Sequence, residues 1–283
     1  MRHFGIPLGL AALAHLMGLW GFAPWRELMV VPAGVLGAFI AQDVWLALGG
    51  GLALHANDDV PYAAWSAAVV LVVSTALPLG HVALDLWCAG AIAAIVFFLL
   101  GVPQTWRHRS RMDMAHIAWY TPALIAALDA PHGVNHALRT GFGWFGFAGM
   151  GVVIAFSAIR VARGHDPKDM RSPWYGLGGS AVMALWVLDV LPPTAALGAC
   201  IVLACAGLFW VVSVAIRHGW DSQGAWSNLF SLCSMAAVAI HIHLLPLAAA
   251  LTVVAVVSLM VDIWRTVSPP SIDRIFLDTE SLS

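Results

Sequence analysis

Ten apolar runs separated by short polar stretches make up most of the chain, at roughly residues 4–22, 29–54, 62–78, 80–103, 112–129, 136–162, 173–191, 193–217, 224–243 and 245–266. Each approaches the roughly 20 residues that a helix needs to cross a hydrocarbon core. The even-numbered runs are longer and pass into charged exits at Arg107, Arg160, Arg217 and Arg265. The odd-numbered runs are shorter and interrupted, by Pro7, by Pro122, or by the cluster Gly176, Gly178 and Gly179. Such breaks loosen backbone hydrogen bonds, which lipid tolerates only against protein or a wet cavity. The pattern therefore predicts an all-α integral membrane protein of ten transmembrane helices, odd helices inside and even helices outside. Its unit is a short broken helix, a tight outer turn and a longer return helix. Five such helical hairpins can close into a ring around a central pore, although the letters alone do not define a repeat.

Composition agrees. Of 283 residues, 61% are hydrophobic and only 10% charged, against about a quarter charged in soluble domains. Fourteen Trp against three Tyr fit interfacial anchoring by indole rings. The formal net charge of -2 gives no reason to expect a nucleic-acid partner. Placing the N-terminus in the cytoplasm puts Arg2, Arg107, Arg109, Arg111, Arg160, Arg163, Lys168, Arg171, Arg217, Arg265 and Arg274 on that side, and only Arg26 and Arg139 opposite. That asymmetry follows the positive-inside rule and puts both termini in the cytoplasm. Residues 1–267 then form one ten-helix transmembrane domain, and 268–283, opening with Pro269-Pro270, a short cytoplasmic tail. The first run has no basic cluster before it and no small-x-small site after it, so no cleaved signal is expected. Cys88, Cys200, Cys205 and Cys233 lie in apolar runs without a CxxC pair and read as packed thiols.

The ninth run, GAWSNLFSLCSMAAVAIHIH from Gly224 to His243, has more small and polar side chains than lipid contact requires: Ser227, Asn228, Ser231 and Ser234. Small residues leave room and hydroxyls replace water, as the wall of a narrow path would need. Phe230 is the bulkiest group in its first half. It is either an ordinary core aromatic or the plug of such a path.

Phe4-Gly-Ile-Pro-Leu-Gly-Leu-Ala-Ala-Leu13, Tyr120-Thr-Pro-Ala123 with Gly141–Gly151, and Gly224-Ala-Trp226 with Phe230, Leu232 and Ser234-Met-Ala236 form a recognisable series. They resemble, in turn, the first helix, the fifth and sixth helices, and the ninth helix of the TehA / slow anion channel family, the tellurite-resistance/dicarboxylate transporter family. The chain departs from the pattern at Asn228, where an aromatic is frequent, and in the third and seventh helices, where Ser74, Thr75 and glycines replace prolines. The resemblance implies five helical hairpins around a central pore and a homotrimer with one pore per subunit. It also implies an anion channel, in a bacterial inner membrane, with Phe230 as the gate.

No Lys or Arg lies centrally in an odd run, so selectivity would rest on hydroxyls, on amide dipoles at helix breaks and on charge at the mouths. Gly5, Gly9, Ser74, Thr121, Ser180, Asn228 and Ser231 are candidate pore-lining positions, with close helix packing as the alternative for each. Asp43, Asp85, Asp189 and Asp262 are costly in a membrane. Asp189, near the outer end of an inner helix, is the candidate proton site among them. His81, His132, His136, His241 and His243 fall at the outer face, where imidazoles would make a mouth sensitive to pH, with His132, His136 and His241 the candidates. The i,i+4 spacing of His132 and His136 would suit a metal if both were helical. No nucleotide loop and no Ser-His-Asp order is evident, so neither catalysis nor a cofactor is expected. Three functions remain to be separated. One is a passive channel for small inorganic anions such as chloride or nitrate. The second is a proton-coupled carrier of oxyanions or dicarboxylates, tellurite included. The third is a membrane metalloenzyme using the outer histidines.

Overall fold

The computed structural model describes residues 5–48, 60–77, 81–107, 112–165, 174–218 and 225–267. All regular structure among them is helical: α1 (Gly5–Leu19), α2 (Trp25–Leu28), α3 (Val30–Leu48), α4 (Val60–Ala76), α5 (His81–Arg107), a 3₁₀ turn (Met114–Trp119), α6 (Thr121–Leu128), α7 (His136–Ala162), α8 (Trp174–Val190), α9 (Pro193–His218), α10 (Ala225–His241) and α11 (Leu245–Val267). Four of these, α5, α7, α9 and α11, are long and apolar enough to cross a membrane. They coincide with even-numbered runs. At 27 residues, α5 and α7 reach about 40 Å. The 17 described residues of α4, α8 and α10 reach about 26 Å.

The fifth run is broken as its sequence predicts. Asp113 caps the 3₁₀ turn by accepting from the Ala115 N–H at 3.0 Å, and α6 restarts with Pro122 in its first turn, where no backbone donor is needed. The seventh run departs from expectation. Helix α8 continues without interruption through Gly176, Gly178 and Gly179, and these glycines serve close packing instead. Proline also sets the sharp reversals. Only Leu191 and Pro192 separate α8 from α9, and α10 joins α11 through Ile242–Leu244, with His243 at φ 61°.

Helix α1 packs against α4 and α10, α4 against α6, α6 against α8, and α8 against α10. Each also packs against the longer helix that follows it: α3, α5, α7, α9 and α11 for α1, α4, α6, α8 and α10 in turn. The short members are buried on nearly every side. Twelve of the 17 residues of α8 are buried, Leu177, Met183 and Trp186 among them. In the apolar windows of the four long helices only 17% to 33% of residues are buried. Ile92, Leu99, Val202, Phe209, Val253 and Trp264 stand exposed on them, an apolar exterior that a soluble protein would not present over so wide an area. Cys88 and Cys205 are exposed on these helices, so the packed-thiol reading holds only for Cys200 and Cys233.

Glycines on the long helices receive bulky side chains from the short ones. A Cβ at Gly90 would lie 2.9 Å from Leu71, and one at Gly146 would lie 2.7 Å from Leu124. Gly149 lies flush against the ring of Tyr120, and Gly143 against the indole of Trp186. Beside these contacts the Tyr120 and Thr105 hydroxyls share a buried hydrogen bond of 2.6 Å between α6 and α5. Tyr120→Phe should therefore cost about 1 kcal/mol and lower the unfolding midpoint in detergent by roughly 2–4 °C. An unchanged midpoint would show that this pair contributes nothing.

Candidate functional site: an axial cavity with an ionisable rim

Where the short helices meet lies a cavity of about 330 Å³. Helix α1 lines it with Leu8, Ala12 and His15, α4 with Val72, and α6 with Ile125 and Leu128 followed by Asp129. Helix α8 contributes Val182, Leu185, Leu188 and Asp189, and α10 contributes Phe230, Cys233, Ser234, Ala237 and His241. Among the long helices only α7 enters the lining, through Arg139. Spacings of three and four run through the sets of α1, α6, α8 and α10 and keep them toward one helical face. In each of these four sets the ionisable member comes last. The C-terminal ends of α1, α6, α8 and α10 therefore meet the start of α7 in one rim of His15, Asp129, Arg139, Asp189 and His241 over an apolar chamber.

Arg139 organises this rim. Its Nε donates to the Ala127 carbonyl oxygen at 2.6 Å, in the last turn of α6, where a cation also complements the helix dipole. Its guanidinium pairs with the Asp189 carboxylate. At the end of α10, His241 Nδ1 donates to the Ala237 carbonyl oxygen at 2.8 Å. One guanidinium thus stands with two carboxyl groups and two imidazoles.

Phe230 lies at the apolar end, half-buried and facing the cavity. Gly178 sets its position: a Cβ there would lie 3.1 Å from the ring and 2.7 Å from Ser231 Oγ. The Ser231 hydroxyl donates to the Trp174 carbonyl oxygen at 2.6 Å, tying α10 to the start of α8. The Ser234 hydroxyl turns back to the Phe230 carbonyl oxygen at 2.8 Å.

The other candidate positions fall elsewhere. Gly5 and Gly9 are buried in α1 but do not line the cavity, and neither do Ser74, Thr121, Ser180, Asn228 and Ser231. The hydroxyls of Ser74 and Ser180 bond within their own helices, to the Leu71 and Gly176 carbonyl oxygens at 2.8 Å, and that of Thr121 bonds back to Ile117 in the preceding 3₁₀ turn at 3.0 Å. That is the local alternative always open to Ser and Thr. Ser180 moreover packs on Gly207 of α9, away from the axis. Among the described residues, Asn228 Oδ1 is buried without a hydrogen-bond partner. Asp189 and His241 reach the rim, while His132 is exposed in the turn before α7 and His136 opens that helix. His132 is thus not helical, so the i,i+4 premise for a metal pair with His136 does not hold. No cluster of three or more potential metal ligands occurs among the described residues.

Sequence reasoning missed His15, Asp129 and Arg139 as site residues; of the polar side chains it singled out in the ninth run, Ser234 reaches the wall. A signal existed: counting by threes and fours from Phe230 reaches Cys233, Ser234, Ala237 and His241, and Leu8, Ala12 and His15 follow the same rule. The chain matches no known family, no curated protein and no solved structure. The family resemblance rests on the motif residues alone.

Gly178→Ala should push the Phe230 ring or α10 from its seat and destabilise the protein by about 1–3 kcal/mol. In a Phe230→Ala background the same substitution should cost clearly less, because the two groups touch. Equal costs in both backgrounds, read from thermal unfolding, would show that Gly178 does not seat the ring.

Proposed function

We propose that the chain crosses a bacterial inner membrane ten times, as five helical hairpins around a central path, with both termini cytoplasmic. The path passes small monovalent anions and is occluded by Phe230. The observation that carries this reading is the cavity itself: five short helices contribute to one space where they meet, and the Phe230 ring is among the side chains that line it. A ring in a narrow apolar passage blocks ions by filling it and by dewetting it. The apolar wall also favours weak binding, which conduction needs, and it selects by size and hydration more than by chemistry. A homotrimer with one path per subunit follows from the family resemblance.

The test is flux. In liposomes, Phe230→Ala should raise chloride and nitrate permeation several-fold over the parent protein, with no change in the amount reconstituted. If the variant conducts no better than the parent, the occlusion reading fails.

A proton-coupled carrier of oxyanions or dicarboxylates is the second reading, favoured by the ionisable rim. Coupling requires a group that exchanges protons with the aqueous side while substrate is bound, and Asp129, Asp189, His15 and His241 all meet there. A carrier should show saturable flux whose pH dependence disappears in Asp129→Asn or Asp189→Asn. A channel should keep non-saturating flux in both. Proton uptake measured alongside anion flux separates the two.

A further inference from the structure

A second cavity, of about 240 Å³, lies beside the axial one, between the start of α7 and the end of α8. Arg139 and Asp189 line both cavities, so their ion pair stands between the two spaces. The side cavity is layered. At the helix ends lie His136, Arg139, Thr140 and Asp189, and deeper lie the rings of Trp144 and Trp186. Those rings meet edge-on at 4.9 Å, with Phe147 5.4 Å from Trp186. Trp186 can lie flat on α7 because residue 143 is glycine. Polar groups over indoles at the ends of two apolar helices match the layering of a membrane interface.

The polar groups are only partly used. The recorded bonds of Arg139 employ its Nε and one terminal nitrogen, out of five N–H donors on a guanidinium. Its side chain is 35% exposed and that of Asp189 is 42% exposed. His136 Nδ1 bonds to Thr140 Oγ1 at 3.1 Å, which leaves the other ring nitrogen facing outward.

We propose that this side cavity binds the headgroup of a zwitterionic phospholipid, of the phosphatidylethanolamine type. Charge complementarity chooses the occupant. The phosphate lies at the Arg139 guanidinium, with His136 and Thr140 beside it and the N-terminus of α7 adding positive potential. The primary ammonium lies at the free edge of the Asp189 carboxylate. A zwitterion laid antiparallel to an ion pair alternates all four charges without breaking the pair, whereas a purely anionic headgroup would face Asp189 with nothing to offset it. The site requires the chain to lie in a membrane, which the proposed path also assumes, but it does not require the path to conduct.

The experiment is thermal unfolding of the full-length protein in detergent micelles doped with dioleoyl phosphatidylethanolamine, phosphatidylcholine or phosphatidylglycerol. Phosphatidylethanolamine at saturation should raise the midpoint by about 5 °C. Phosphatidylcholine, whose trimethylammonium has no N–H to donate, and phosphatidylglycerol, which has no cation, should do distinctly less. Arg139→Gln should abolish the shift, and Asp189→Asn should reduce phosphatidylethanolamine to the level of phosphatidylglycerol. Trp144→Ala, at an exposed ring outside the axial cavity, should weaken the shift while leaving the flux of the Phe230→Ala background unchanged, so this site and the path fail independently. Equal shifts for the three lipids, or a full shift in both Arg139→Gln and Trp144→Ala, overturns the proposal. So does a full shift from soluble phosphoethanolamine at the same concentration, which would make the ligand a free phosphate ester.

Discussion

Close approach between helices at glycine is the constraint on which the architecture rests. Gly90, Gly146 and Gly149 on the long helices each sit against a bulky side chain of the short helix they cover. Contact between apolar helices gains from dispersion, and dispersion depends on distance. A methyl group at these positions would move one helix off another by an amount that several neighbours would have to absorb. The same principle operates once on the inner side. Gly178 lets α10 lie close on α8 and holds the Phe230 ring against the cavity.

The consequence is a division of labour between two kinds of helix. Long helices present Ile, Leu, Val and Trp outward and spend their inner face on glycine grooves. Short helices are enclosed by neighbours, so a cavity can persist on their axis without exposing backbone to lipid. Its wall is mainly aliphatic, because the buried hydroxyls find carbonyl oxygens nearby. Polarity is collected at one end, where helix termini bring His, Asp and Arg side chains from different parts of the chain into a single ring. Arg139 belongs to a long helix yet completes that ring, fastening α6 to α8. It also faces the side cavity, so one ion pair borders both the axial space and the exterior.

Much of this was legible in the linear chain. The alternation of longer and shorter apolar runs is written in composition, and it recurs as long helices with exposed apolar faces around shorter enclosed ones. The break at Pro122 is likewise local, since proline cannot continue a backbone hydrogen-bond ladder. The glycine run at Gly176 was ambiguous. Glycine permits a break and permits contact, and only the position of α10 and α9 against it decides for contact.

What the sequence determined by itself is the class of element: apolar helices throughout the described residues, in two lengths. Which side chains face the axis was decided only in three dimensions. Helical rotation is set by packing against neighbours distant in the chain, and a turn of one residue moves a side chain by about 100°. Phe230 could be selected locally because it is large and alone in its stretch. His15, Asp129 and Arg139 could not, because each becomes part of a site only when helix ends far apart in sequence are brought to the same height.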